Sequence, residues 1–137
     1  MKRLTQYVSI FFLTLFAIAC SSGESSPEKV AEKYVSAMYS GDADAIIKMI
    51  YMPDGGKSSD ASTMIKGKLQ DATIRAKAYA EQHGGIAKVE YQPTKYLNDD
   101  KSRAIIDINV IFKDNTNKNE DLKLTKVDGN WFIEVGF

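Results

Sequence analysis

The chain has 137 residues, with 18 Lys and Arg against 18 Asp and Glu, one His and one Cys. Binding nucleic acid requires a basic face that displaces counterions, and a balanced chain of this size does not supply one. A single Cys excludes an intrachain disulfide, and a single His leaves no second imidazole for a metal.

The amino terminus differs in kind from the rest. Lys2 and Arg3 precede an apolar run from Val8 to Ala19, broken only by Ser9 and Thr14. A basic start, a short apolar stretch and a small residue before a break make a secretory signal peptide. Crossing a bilayer takes roughly 20 apolar residues, and this run is nearer a dozen, too short for a permanent span. The break, Ala17-Ile18-Ala19-Cys20 followed by Ser21-Ser22-Gly23, resembles the lipobox of bacterial lipoproteins, with Ala17 where Leu is commonest. That resemblance implies a lipidated Cys20 thiol, cleavage before Cys20 and acylation of the new amino terminus. Two or more acyl chains hold a protein stably to a bilayer, whereas one binds reversibly. Ser21, in place of the Asp that signals retention at the inner membrane, implies an outer-membrane destination in the bacterial cell envelope.

Cleavage after residue 19 removes Lys2 and Arg3 and leaves 118 of the 137 residues, with 16 basic and 18 acidic side chains. This length suffices for one domain with its own core, and the balance argues against a polybasic membrane patch. The organisation expected is a signal peptide over 1–19, a lipidated Cys and flexible linker over 20–26, and a single domain over 27–137.

Ser26-Pro27-Glu28 is a helix start: a hydroxyl cap, Pro where its missing N–H costs nothing, and an acid at the positive end of the dipole. Val30, Tyr34, Ala37 and Met38 follow at helical spacing, and Gly41 stops the helix. Asp42 or Asp44 can cap a second, short helix with Ile46, Met49 and Ile50 inward. Met52 to Ser59 is a loop by its turn residues. Its Gly56-Lys57-Ser58 looks like the end of a phosphate-binding loop, but Tyr51 occupies the place of the required earlier Gly, and no strand precedes it. A long helix from about Asp60 to His83 then buries Ile65, Leu69, Ala72, Ala76 and Tyr79, ending at Gly84-Gly85. From Ile86 the period becomes two, predicting strands over 86–97, 102–113, 121–126 and 131–137 joined by turn-rich links. Helices segregated from a run of hairpins define an α+β fold: three N-terminal helices on a curved four-stranded antiparallel meander.

The Ser-Pro-Glu-Lys-Val start, the Tyr39-Ser40-Gly41-Asp42 junction, the long third helix and the closing Leu124 to Trp131 hairpin resemble a known group. They are similar to small lipoproteins of a domain-of-unknown-function family, sometimes labelled lumazine-binding-like, in the nuclear transport factor two-like, cystatin-like cone superfamily. The resemblance covers residues 27–137 and implies a cone-shaped domain. In enzymes of that superfamily a buried Asp, or an Asp–His pair, sits inside the cone.

Candidates for such chemistry are few. His83 lies at the end of the long helix, where it can meet the free carbonyls and the negative dipole end. The run from Asp114 to Asp121 is rich in oxygen donors but fits no calcium-loop register, because Thr116 and Lys118 fall at ligand places. In the second strand Ala104, Ile106, Ile108, Val110 and Phe112 form one apolar face, which must meet the helices, so Asp107 and Asn109 point outward. Ile105, Asp107, Asn109, Ile111 and Phe132 then make a candidate partner face, and sheet-face homodimers are frequent in the superfamily. Tyr34, Met38, Tyr79, Tyr91 and Trp131 are candidate pocket-lining residues, with core packing the default for Trp131.

No catalytic residue, cofactor or metal is expected. The reading is a non-enzymatic, membrane-anchored envelope lipoprotein that binds a small apolar ligand or an envelope protein through its cone. Its rivals are an isomerase or hydrolase using Asp42, Asp44 or Tyr79, and a dimerising module of an envelope assembly.

Overall fold

The structure, a computed structural model, describes residues 24–52 and 59–135. The signal peptide, Cys20, the first part of the linker, Gly56-Lys57-Ser58 and Phe137 lie outside the described residues. Helix α1 (Pro27–Ser40) opens as its sequence dictates, with Ser26 Oγ accepting from the Lys29 N–H at 3.4 Å. It closes at Gly41, where φ of 82° is left-handed and a Cβ would meet Lys77 Cδ at 3.3 Å, so glycine fits the turn. Asp42 caps α2 (Ala43–Met49), accepting from the Ala45 N–H at 3.1 Å. Helix α3 (Ser59–Gln82) is the longest element. Among the described residues no helix is long and apolar enough to cross a membrane.

The strands are β1 (Ile86–Tyr91), β2 (Lys95–Tyr96), β3 (Arg103–Phe112), β4 (Asn117–Val127) and β5 (Asn130–Ile133). They form one antiparallel sheet in the order β1-β3-β4-β5, with β2 pairing β3 beside β1. Two differences from the sequence reading matter. The run over 86–97 is two strands, because Pro93 has no N–H for a ladder and interrupts it after Gln92 has bonded the Asp107 carbonyl at 2.9 Å. Strand β4 begins at Asn117, not Asp121, because the turn closes early: Phe112 N–H donates to the Thr116 carbonyl, and Asn115 takes a φ of 71°.

Strand β3 is the spine of the core. Its side chains alternate between fully buried and half-buried, and Ala104, Ile106, Ile108, Val110 and Phe112 are each 1% exposed or less. They pack with Val30, Ala31, Val35 and Met38 of α1, Ile46 of α2, Ile65 of α3 and Leu122 and Leu124 of β4. The Phe112 ring gathers Tyr39 and Tyr79 edge-on at centroid distances of 5.8 and 5.2 Å. The outer edge of β5 is covered by two other segments. The Trp131 N–H donates to the Glu24 carbonyl at 2.8 Å, and the Tyr51 N–H to the Ile133 carbonyl at 2.9 Å. Such pairing removes an open edge that would otherwise recruit another chain.

Truncating Phe112 to Ala should therefore cost about 3–5 kcal/mol in urea unfolding, the range for an emptied aromatic core site. Ile74→Ala, at a position 66% exposed on α3, should change stability by less than about 0.5 kcal/mol in the same assay.

Candidate functional site

The early start of β4 has a chemical consequence. Glu120 pairs with Ile108 in the centre of the sheet and precedes buried Leu122 and Leu124 by two and four residues. Strand alternation therefore delivers its carboxylate to the helix-facing side. Tyr39 and Tyr34 approach from α1, and Tyr79 from α3. Tyr39 Oη and Glu120 Oε2 are both buried and, among the described residues, make no hydrogen bond of normal length, but the Tyr39 hydroxyl points close enough to the Glu120 carboxyl to bond it weakly and to shift both ionisations.

The electrostatics follow from that proximity. Burial raises the Glu120 carboxyl above the ordinary carboxylate range, while the Lys118 charge and the Tyr39 hydroxyl work in the opposite direction. Burial, and secondly the negative charge of Glu120, push the Tyr34 phenol up to about 12. The same two causes raise Tyr39 further, so both phenols remain protonated donors at neutral pH. Lys118, two residues before Glu120 and opposite Val110, sets its ammonium 4.1 Å from the Tyr79 ring centroid. The site is thus a partly desolvated carboxylate, two neutral hydroxyls, aromatic faces and one cation at the rim.

His83 stands at that rim, its ring 4.2 Å from the Tyr79 ring. Its backbone N–H bonds the Tyr79 carbonyl, but its imidazole Nδ1 turns to the Asp114 carboxylate rather than to the helix end. Asp114 also accepts from the Thr116 hydroxyl at 2.6 Å and the Thr116 N–H at 3.0 Å. These bonds, the Thr116 hydroxyl first and His83 next, hold its carboxyl at about 2. The pair ties the end of α3 to the β3–β4 turn.

Of the residues singled out from sequence, Tyr34 and Tyr79 belong to this site. Met38 and Trp131 are buried in the core, and Tyr91 is half-exposed at the end of β1, beside Glu32. Asp42 and Asp44 are exposed at the start of α2 and do not face the interior. Ile105, Asp107, Asn109, Ile111 and Phe132 share the outward sheet face, half-buried. They form no continuous apolar patch: Asp107 and Asn109 separate the two isoleucines, and Phe132 packs near Tyr51 at 6.3 Å. Asp107 is paired across the strands with Asp121, whose carboxyl it raises by hydrogen bonding and repulsion, and Lys95 lies 3.7 Å away. Among the described residues no group of three or more His, Cys, Asp or Glu could hold a metal.

Several clefts lie elsewhere among the described residues, two of them larger than the others. One of about 600 Å³ runs between α1 and α2, with Val30, Met49 and Trp131 on its apolar side and Lys33 and Asp44 among its polar residues. The other, about 640 Å³, lies beside Tyr51 and Phe132. Neither is lined by Glu120 or Tyr39.

Three helices followed by a curled antiparallel sheet define the nuclear transport factor two-like α+β cone, and comparison with one solved structure agrees. A Campylobacter jejuni protein provisionally designated an NTF2-like transpeptidase superposes with a TM-score of 0.72 at 23% identity, over 81% of this chain and 99% of that one. A SEC-C motif containing protein from Rhodopseudomonas palustris gives a TM-score of 0.45 at 14% identity, over 82% and 78%. Within that fold class the chain belongs to a family described as a domain of unknown function, DUF4878, whose profile matches residues 20–134. No curated protein matches the sequence.

The two perturbed carboxylates predict opposite pH responses. Asp114 is depressed from 3.8 to about 2, so its stabilisation is complete above about pH 4 and is lost as pH falls through about 2. Asp114→Asn should flatten that acid limb in thermal melts across pH. Glu120 is raised, so its contribution is fully present below its ordinary value of 4.5 and fades as pH rises through the folded value. Glu120→Gln should therefore melt higher than wild type at pH 7, with the difference closing toward pH 4.

Proposed function

We propose that the chain is an envelope lipoprotein, held to a membrane through acylated Cys20, whose domain binds a small ligand without transforming it. The observation that carries the binding role is the buried pair Tyr39 Oη and Glu120 Oε2, which bear on each other's ionisation yet make no hydrogen bond of normal length among the described residues. Leaving one such group unpaired costs about 1–3 kcal/mol, and cores ordinarily satisfy them. A ligand hydroxyl serves both, accepting from the Tyr39 O–H and donating to Glu120, and a ligand amide does the same with two atoms. The ring of Tyr34 suits an apolar body attached to that polar group. The ligand class is therefore a mostly apolar small molecule with one neutral donor–acceptor group. The non-catalytic reading is supported by the surroundings: His83 is engaged with Asp114, and Asp42 and Asp44 stand outside the interior.

A second reading follows from the same carboxylate. A partly desolvated Glu120 with a raised pKa beside a neutral Tyr39 has the ingredients of a general base and an oxyanion donor. It replaces Asp42 and Asp44 as the acid an enzyme of this fold would use.

Native mass spectrometry of the protein purified from its own envelope tests both readings. Wild type should carry a co-purified small molecule, and Glu120→Gln and Tyr39→Phe should lose it with the melting transition retained. Equal retention by both variants would remove the site. A chemically altered ligand on release, dependent on Glu120, would establish the catalytic reading instead.

A further inference from the structure

The structure also fixes where the tether leaves the domain. The Glu24 carbonyl accepts from the Trp131 N–H, and the Glu24 carboxylate pairs with Lys33 on α1. Glu24 is thus fastened to both layers of the fold, only four residues beyond Cys20. Four residues span at most about 13–14 Å, so the end of the domain around Trp131 is held next to the bilayer.

That end carries a particular surface. The Tyr96 ring lies 6.2 Å from Trp131, and Tyr96 and the adjacent Leu97 are 43% and 48% exposed. Lys101 takes a φ of 56° and sets its ammonium 5.5 Å from the Tyr96 ring centroid. The loop presenting these side chains is braced from within. Asn98 Oδ1 accepts from the N–H groups of Ser102 and Arg103 at 3.0 Å each, and the Ser102 carbonyl accepts from the Lys126 N–H at 2.7 Å. Of the two acids at the tip, Asp99 and Asp100, the second is turned back onto the Ser102 hydroxyl at 2.8 Å.

An amphipathic aromatic ring, an exposed leucine and a lysine on a braced loop are the composition that settles at a membrane–water interface. We infer that the β2–β3 tip, through Tyr96, Leu97 and Lys101, rests in the headgroup layer of the bilayer that carries the tether. One tip of this size would bind a free vesicle weakly, but the short tether supplies a high effective concentration, so a weak contact is enough. The consequence is an orientation. Glu120 pairs with Ile108, five residues along β3 from Arg103, and so stands roughly 16 Å farther from the tip. Docking the tip turns the ligand site away from the membrane, toward molecules that diffuse.

This inference rests on the anchor reading, and the experiment separates the two. Cys20 is the sole cysteine, and the core residues lie between Val30 and Ile133, so the chain from Cys20 onward can be coupled through its thiol to a maleimide phospholipid. The carriers are phosphatidylcholine vesicles and phosphatidylethanolamine–phosphatidylglycerol vesicles. Amide exchange over residues 95–102 should slow by about threefold or more relative to the thiol-blocked chain with the same vesicles, while the turn at 113–116 stays unchanged. Tyr96→Ser with Leu97→Ser, both exposed positions, should abolish that protection. Unchanged exchange over 95–102 in the coupled chain, or protection at 113–116 in its place, would overturn the docking. The anchor is read independently, from the intact mass of the Cys20 amino-terminal peptide of protein made in its host.

Discussion

The domain depends on one alternation: every second side chain of β3 is apolar and removed from water. Ala104, Ile106, Ile108, Val110 and Phe112 present a continuous face at the centre of the sheet, and both neighbouring strands and all three helices supply residues that cover or extend it. Full burial of each of the large aliphatic or aromatic side chains is worth about 1.5–3 kcal/mol. No other strand in the sheet offers so long an apolar stripe. A slip of one residue would send Asp107 and Asn109 inward and the apolar set outward. The register of β3 with β1 and β4 is consequently set by the core, and every side chain at the candidate site inherits its direction from that register.

Glu120 is the exception that this register enforces. It occupies a helix-facing position on β4 that packing alone would fill with an apolar residue, as Leu122 and Leu124 do on the same face. Burial raises its pKa, Lys118 and Tyr39 offset only part of that, and one carboxylate oxygen makes no hydrogen bond of normal length among the described residues. A sequence selected for stability alone has a simple remedy in leucine. A half-buried carboxylate beside a buried tyrosine hydroxyl is the pattern expected where a fold gives up stability for a site.

Most of the fold was legible because the signals were local. Ser26-Pro27-Glu28 and Gly41 mark α1 by caps that need no tertiary knowledge, and the period-two run from Ala104 to Phe112 announces both the strand and its inward face. The candidate site was less legible, and for an identifiable reason. The polar run from Asp114 to Glu120 reads as a turn by composition, yet four of its residues continue β4, because pairing with β3 overrides weak strand propensity. Extending the alternation backward from Leu124 through Leu122 would have placed Glu120 on the buried face. The interruption at Pro93 carried its own signal, since a strand that must donate to a ladder does not hold a proline. The juxtaposition of Tyr39 with Glu120 carried none, because it depends on how α1 crosses the sheet.

The two ends of β3 are chemically different, and that polarity links the proposed anchor to the candidate site. At the Arg103 end lie Glu24, Trp131 and the exposed Tyr96 and Leu97. At the Phe112 end lie Tyr79, His83 and Lys118, with the Asp114 bonds holding α3 against the β3–β4 turn. The short tether proposed at the Arg103 end would set, through the ten residues of β3, both the height and the facing of whatever the other end displays. Glu120 lies between, on the face the helices cover. With Cys20 acylated as proposed, the anchor does more than confine the domain to a membrane: through β3 it sets which way the carboxylate faces.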